Sequence, residues 1–138
     1  LRNDNKKRFN FQMTDLQAGI GRVQLNKLPE FLMKRKSIFE KYNAKLPMLC
    51  DDENSNRQPV YYRAICKTNS PLEIIEELER GKIKAIIPVE DWELLGEPEL
   101  FPNAYQLTQT TVSLPIYPLL EGKDVDSIIN VIDEFNNL

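Results

Sequence analysis

The chain has 138 residues, of which 41% are hydrophobic and 28% are charged, and its formal net charge is −3. This length suits one domain with its own core, and the acidic balance argues against nucleic acid or an anionic membrane as a general partner. Histidine is absent from the sequence. The usual near-neutral general base and the commonest zinc ligand are therefore missing, and we expect no metal site.

The cysteines and the hydropathy pattern indicate the compartment. No apolar run approaches the roughly 18 residues that span a bilayer, and no secretory signal can be read. Cys50 and Cys66 lack the spacing of a metal site. Cys66 falls on the apolar positions of an alternating segment, so we expect a buried, reduced thiol in a cytoplasmic protein. Because the sequence starts at Leu1 and not at methionine, we expect a fragment of a longer chain.

The first expected helix covers residues 14–25 and follows an extended lead-in. Thr14 is a favourable N-cap, and Gln17 stands at the capping-box spacing. Gly19 and Gly21 follow within the first turns, although each glycine inside a helix costs about 1 kcal/mol relative to alanine. We interpret them as a sign that this helix lies very close to another backbone or to a ligand.

Residues 26–29 are expected to interrupt this helix, with Pro29 in the first turn of a second helix that runs to Lys45. Helical spacing predicts a buried stripe on that second helix, made of Leu28, Phe31, Leu32, Phe39, Tyr42 and Leu46. Expected strands cover 60–67, 83–87 and 111–117, and expected helices cover 70–81, 101–110 and 125–135. Gly81 is the expected stop of the helix over 70–81. The predicted fold class is α/β, or a small α+β domain: a sheet of about three strands packed with helices behind a long interrupted helix.

Three short blocks resemble one known family. Residues 10–18, Asn-Phe-Gln-Met-Thr-Asp-Leu-Gln-Ala, resemble the N-x-x-M-T/S-D-x-Q-A block of the DegT/DnrJ/EryC1/StrS family, which are PLP-dependent sugar aminotransferases of fold type I. Residues 42–46, Tyr-Asn-Ala-Lys-Leu, are similar to the family's Y-N-x-x-L pattern. Residues 113–118, Ser-Leu-Pro-Ile-Tyr-Pro, look like its S-L-P-x-Y-P block.

The resemblance implies a domain organisation and an activity. Residues 1–138 would form the C-terminal small domain, with 1–13 as an extended lead-in and 14–46 as the helical connection from a missing N-terminal large domain. The full-length enzyme would be a homodimer that uses PLP to transfer an amino group to a nucleotide-linked keto-sugar in amino-sugar biosynthesis. In the family the Schiff-base lysine precedes the asparagine block. We therefore expect this chain alone to contain no catalytic residue, to retain no PLP and to be inactive.

Asn10 and Gln12 are the candidate cofactor-binding residues. In the family, the asparagine that matches Asn10 hydrogen-bonds the PLP phosphate of the neighbouring subunit. The residues alone favour an asparagine that stabilises the turn before the helix, whereas the resemblance favours the phosphate contact. Gln12 departs from the family, which often has arginine or lysine there. Glutamine can still donate a hydrogen bond, but it brings no charge.

Trp92 and Glu90 are the candidate substrate residues. They lie in a run of three carboxylates around the only tryptophan of the chain. Such a run can bind a sugar by stacking and hydroxyl hydrogen bonds, or can supply the acid–base pair of a glycosidase. Alternatively, Trp92 anchors an exposed loop by its own burial, as tryptophan usually does. A second hypothesis for the whole chain is a non-enzymatic regulatory or oligomerisation module derived from such an enzyme.

Overall fold

The computed structural model describes residues 12–50 and 59–136. Two compact units divide the chain, Leu1–Glu30 and Phe31–Leu138. The elements in chain order are α1 (Asp15–Asn43), β1 (Ala64–Lys67), α2 (Pro71–Arg80), a short 3-10 helix (Asp91–Glu93), α3 (Pro102–Gln109), β2 (Thr111–Leu114) and α4 (Gly122–Asn136). This arrangement confirms the small α/β domain expected from the sequence. No helix of the described ranges has both the length and the apolar character that a membrane span needs.

The sheet has fewer strands than predicted. Within the described residues it consists of β1 and β2, which pair antiparallel from Ala64 opposite Leu114 to Lys67 opposite Thr111. The expected third strand is reduced to a single bridge, in which Ile86 exchanges two backbone hydrogen bonds with Ser113 at 2.8 and 3.3 Å. Pro88 follows two residues later and has no N–H to extend the ladder.

The other two strands are shorter than expected, for similar local reasons. β1 starts at Ala64 and not at residue 60, because Tyr61 has a φ of 47°, which is incompatible with an extended strand. β2 ends at Leu114 because Pro115 has no backbone donor.

The predicted interruption at residues 26–29 is wrong. α1 continues through Pro29 without a break. The fixed φ of proline is itself helical, although Pro29 has no N–H to donate to the Leu25 carbonyl and its ring crowds that carbonyl. The predicted stripe is only partly buried: Phe39, Tyr42 and Leu46 are buried, whereas Leu28 is exposed.

The core lies entirely in the second unit. α2 packs against α4 and β2. The fully buried side chains, each less than 2% exposed, include Tyr42, Ile74, Leu78, Val112, Val125, Ile128 and Ile132. These residues come from α1, α2, β2 and α4, so the sheet and three helices share one hydrophobic core. The hydroxyl of Tyr42 donates a hydrogen bond of 3.0 Å to the Pro115 carbonyl, which links the end of α1 to the chain just after β2.

The end of α2 differs from the sequence prediction by one residue. Gly81 has a φ of −77°, which any residue can adopt, whereas Lys82 is left-handed with a φ of 60°. The Ile83 N–H donates to the Leu78 carbonyl and the Lys82 N–H to the Glu79 carbonyl, both at 2.8 Å. These are the two bonds of a Schellman motif, in which the left-handed position is usually glycine. Lysine therefore occupies the position that glycine favours.

Lys82→Gly is expected to raise the free energy of unfolding by about 0.5–1 kcal/mol, because it removes the steric penalty of a Cβ in the left-handed region. Urea unfolding of the chain measures this change. Lys82→Ala is the matched control, since it shortens the side chain but keeps the Cβ. An equal gain in Lys82→Ala would show that the side chain, and not the backbone conformation, is responsible.

Candidate functional site

The start of α1 is fixed by reciprocal hydrogen bonds. The Thr14 N–H donates to the Gln17 side-chain oxygen at 3.0 Å, and the Gln17 N–H donates to the Thr14 hydroxyl at 3.3 Å. This is the predicted capping box, and it defines where the chain enters the helix. Gln12 lies two residues before Thr14 and is exposed. Asn10 lies outside the described residues.

The first half of α1 presents an exposed apolar face. Leu16, Ile20 and Val23 recur at helical spacing and are 52–75% exposed. Gly19 lies on the same face, and among the described residues a Cβ built at Gly19 or at Gly21 would meet no atom within 4 Å. The described part of the chain therefore supplies no close neighbour that requires either glycine.

The turn that carries Trp92 and Glu90 is held together by its own hydrogen bonds. The Glu90 N–H donates to the Glu93 carboxylate at 2.8 Å, and the Trp92 N–H donates to the Asp91 carboxylate at 2.7 Å. The Glu93 N–H donates to the Glu90 carbonyl at 3.0 Å. Asp91 and Glu93 therefore use carboxylate oxygens to satisfy backbone groups of the turn.

The expectation that Trp92 anchors its loop by burial is wrong. Its side chain is 79% exposed, and Glu90 is also exposed. An exposed indole beside carboxylates is available to stack on a ligand, because it does not contribute to the core. Within the described residues, burial of the ring therefore does not account for the tryptophan at this position.

Two contacts attach this turn to the sheet. The Ile86–Ser113 bridge joins the preceding segment to β2. Closer to the turn, the Arg63 guanidinium donates a hydrogen bond of 2.9 Å to the Pro88 carbonyl. Arg63 immediately precedes β1, so both contacts fix the segment to the same two-stranded sheet.

A small apolar cavity lies beside this segment. It has a volume of about 240 Å³, and its lining residues include Ile65 of β1, Val89 and Leu94 around the turn, and Leu107 of α3. After the turn, Gly96 packs against the Phe101 ring so closely that a Cβ would lie 2.6 Å from a ring carbon. The turn therefore borders an apolar recess and is followed in the chain by a close glycine–aromatic contact.

The described lysines do not form a Schiff-base site. Lys27, Lys34, Lys36, Lys41, Lys45, Lys67, Lys82, Lys84 and Lys123 are all exposed. A nucleophilic lysine needs a pKa lowered by an apolar pocket or by a neighbouring cation. The Lys123 pKa moves the other way: it is raised by the hydrogen bond to the Glu121 carboxylate, 2.9 Å away. Within the described residues, no lysine therefore has the apolar surroundings that would lower the pKa of a Schiff-base amine.

The two cysteines differ in exposure. Cys66 is buried and free, as the sequence analysis predicted, and Cys50 is exposed and free. Burial raises the pKa of the Cys66 thiol to about 11, with a further contribution from the Asp133 charge. The thiolate is the reactive form, so Cys66 is expected to be inert near neutral pH.

An aromatic disulfide reagent at pH 8 is accordingly expected to label one thiol of the native chain rapidly and both thiols in denaturant. Cys50→Ser should abolish the rapid phase and leave the far-ultraviolet circular dichroism unchanged. A rapid phase that survives in Cys50→Ser would contradict the burial of Cys66.

The sequence-predicted site residues fall into two groups. Gln12 lies in the first unit, and Trp92 and Glu90 share one turn in the second unit. Sequence reasoning missed Arg63, which ties that turn to the sheet. Its alternating neighbours resemble an ordinary strand, so the sequence carries no signal for this contact.

No group of three or more potential metal ligands occurs among the residues that the structure describes.

Known proteins share both the sequence pattern and the fold. The profile of the DegT/DnrJ/EryC1/StrS aminotransferase family matches residues 3–133. The spore coat polysaccharide biosynthesis protein SpsC of Bacillus subtilis strain 168 is 26% identical over 143 residues, which cover 90% of this chain and 37% of SpsC.

Among solved structures, Spr1654 of Streptococcus pneumoniae, assigned as a sugar aminotransferase, superposes with a TM-score of 0.80 at 23% identity, over 91% of this chain and 36% of that chain. Spr1654 has also been solved in PLP and PMP forms. A DegT/DnrJ/EryC1/StrS aminotransferase from Brucella abortus gives a TM-score of 0.77 at 20% identity, over 92% of this chain and 37% of that chain.

These relatives are much longer than the chain, which spans little more than a third of their length. The solved structures confirm the fold, and the profile match extends from the lead-in to α4. On this evidence the chain belongs to the DegT/DnrJ/EryC1/StrS aminotransferase family.

Proposed function

We propose that residues 1–138 are the C-terminal small domain of a PLP-dependent aminotransferase that acts on a nucleotide-linked keto-sugar. Residues 1–13 would be its extended lead-in, and residues 14–46 the helical connection from the large domain. The observation that carries this proposal is the match to the aminotransferase family over residues 3–133, combined with coverage of only 36–37% of the relatives' length.

The chain alone is proposed to be inactive and to retain no PLP. When bound, PLP supplies the Schiff base and the electron sink of transamination, and it needs a lysine whose amine can be deprotonated in a closed site. The exposure of every described lysine supports the absence of such a site. We place the reactive lysine in the large domain.

The role proposed for the lead-in is to complete the cofactor site. Asn10 is assigned to donate an amide hydrogen bond to the PLP phosphate of the neighbouring subunit, and Gln12 to lie close enough to donate a second. Both would contribute without adding charge. The capping box at Thr14 and Gln17 supports this assignment, since it fixes the point from which the lead-in departs.

The turn at Asp91–Glu93 is the proposed substrate contact. The exposed Trp92 indole is suited to stack on the apolar face of a sugar ring or on a nucleotide base, and Glu90 to accept hydrogen bonds from sugar hydroxyls. The high exposure of Trp92 supports this role, because the core makes little use of the ring.

The proposed partners are the large domain and a second subunit. The apolar face formed by Leu16, Ile20 and Val23 would pack against the large domain in the full-length homodimer. The net charge of −3 supports a partner other than nucleic acid or an anionic membrane. A cytoplasmic location is part of this proposal.

The experiment is to add PLP to the purified chain and to the full-length protein, dialyse both, and record visible absorbance and intact mass after borohydride reduction. We expect the full-length protein to keep the band of lysine-bound PLP and the chain to lose it. Reduction that fixes PLP onto a lysine of this chain would overturn the proposal. A reading frame that begins close upstream of Leu1 would favour the non-enzymatic module instead.

A further inference from the structure

The contact between Arg63 and the Pro88 carbonyl links the sheet to the turn that bears Trp92. We propose that Arg63 is a positioning residue, which holds this turn in the orientation that binds the sugar-nucleotide. The inference rests on the proposed function, because it assigns a role to the same turn. The new residue is Arg63. It is assigned no contact with substrate or cofactor, and it acts through the backbone at Pro88.

Apart from Leu94, which is partly buried at the apolar recess, the side chains around the turn contribute little burial, so its backbone contacts to the sheet matter for its position. Trp92 is 79% exposed, Val89 is 45% exposed and Leu95 is fully exposed. The hydrogen bonds within residues 90–94 make the turn rigid internally, but they do not fix it to the rest of the unit. Along the chain, the bridge at Ile86 lies six residues before Trp92. The Arg63 contact is at Pro88, only four residues before Trp92.

The residues next to Arg63 in the chain help to hold it in place. Its guanidinium lies over the Tyr62 ring, 5.8 Å from the ring centroid. The residue after Arg63 is Ala64, which is fully buried at the start of β1. Within residues 12–50 and 59–136, no carboxylate forms an ion pair with Arg63. The Pro88 carbonyl is thus the acceptor that the structure gives to this cation.

The backbone two residues before Arg63 has an unusual conformation, which supports a specific role for Arg63. Tyr61 adopts a left-handed φ of 47°, and its ring packs against Phe39 of the core with centroids 4.6 Å apart. A bulky residue in this region is strained and persists only where its surroundings hold it. The packing of Tyr61 therefore fixes the direction from which Arg63 reaches Pro88.

The first test uses the single tryptophan as a probe. The chain is labelled with 5-fluorotryptophan, so that one 19F resonance reports on the turn. Arg63→Met, which keeps an apolar stem but removes the donors, is expected to broaden or split this resonance. Arg63→Lys should restore much of the wild-type signal because one donor returns. Arg80→Met is the matched control, since Arg80 is exposed and pairs with Glu77 on α2.

The second test uses the full-length enzyme. Arg63→Met is expected to raise KM for the keto-sugar nucleotide about tenfold, the effect of losing one hydrogen bond from a charged donor. The value of kcat should stay within about twofold, and KM for the amino donor should not change, because the turn is held for sugar binding only. Arg63→Lys should recover most of the loss. General destabilisation would alter all of these constants together.

The outcomes separate this inference from the proposed function. A 19F resonance in Arg63→Met identical to wild type would overturn the inference. So would an unchanged KM in Arg63→Met when Trp92→Ala raises it. If Trp92→Ala leaves KM unchanged, the substrate contact under the proposed function fails. Broadening of the 19F signal with recovery in Arg63→Lys would then still support positioning of the turn by Arg63.

Discussion

Tyr42→Ala is expected to lower the free energy of unfolding by about 3–5 kcal/mol, the range for removing a buried aromatic side chain from a core. Tyr42 is fully buried where α1 meets the rest of the second unit. Small domains are stable by only about 5–15 kcal/mol, so this single change should leave a large share of the chain unfolded near 37 °C. Urea unfolding followed by circular dichroism measures the effect.

Tyr42→Phe separates packing from hydrogen bonding. It keeps the ring but leaves the Pro115 carbonyl without its donor at 3.0 Å, which is expected to cost about 1–2 kcal/mol. Burial raises the pKa of the Tyr42 hydroxyl, so the phenol stays protonated and the effect should not depend on pH between 6 and 9. Tyr105→Phe, on the partly exposed face of α3, is the control. A loss in Tyr42→Phe equal to that in Tyr42→Ala would show that packing of the ring contributes little.

Asn10→Ala in the full-length enzyme is expected to weaken PLP binding about 10- to 100-fold, the effect of losing a hydrogen bond to a charged group. Equilibrium dialysis against PLP measures the dissociation constant. Asn130→Ala, at an exposed position of α4, is the control and should bind PLP like wild type. An unchanged dissociation constant in Asn10→Ala would mean that this asparagine serves the turn before α1 and not the cofactor.

Mixed dimers test whether Asn10 acts across the subunit interface. One subunit carries Asn10→Ala, and the other keeps Asn10 but lacks the PLP lysine. In the mixed dimer, one active site then has both groups, so co-expression should recover up to half of the wild-type activity per dimer. Recovery no greater than the sum of the two separate homodimers would contradict a contribution in trans.

The elements that the sequence predicted well are those specified by local signals. Thr14 and Gln17 form the expected capping box, and α2 and α3, each with a proline in its first turn, lie within the expected helices over 70–81 and 101–110. The apolar spacing of α4 likewise predicts a buried stripe of Val125, Ile128, Ile129, Ile132 and Phe135, of which the first four are buried and Phe135 is partly buried. Caps, helix-starting prolines and apolar periodicity act over a few residues, so they can be read without knowledge of the tertiary contacts.

The features that the sequence did not predict depend on contacts between distant segments. Alternation from residue 60 onward favours a strand, but Tyr61 leaves the extended region where its ring meets Phe39. Pro29 has the local character of a helix start, yet α1 tolerates it in the interior. For the candidate site, the exposed Trp92 and its attachment through Arg63 depend on the same long-range packing, so composition around the turn could not reveal them.

The pairing of β1 with β2 has a consequence for synthesis of the protein. Ala64 pairs with Leu114, about 50 residues later in the chain. At about 5–20 residues per second, a ribosome needs several seconds to make the partner strand after β1 has been translated. During that interval one edge of β1 can bond to Pro47 and Leu49, which are already made, but its other edge has no partner, and the charges of Arg63 and Lys67 at its two ends oppose pairing of that edge with another nascent chain.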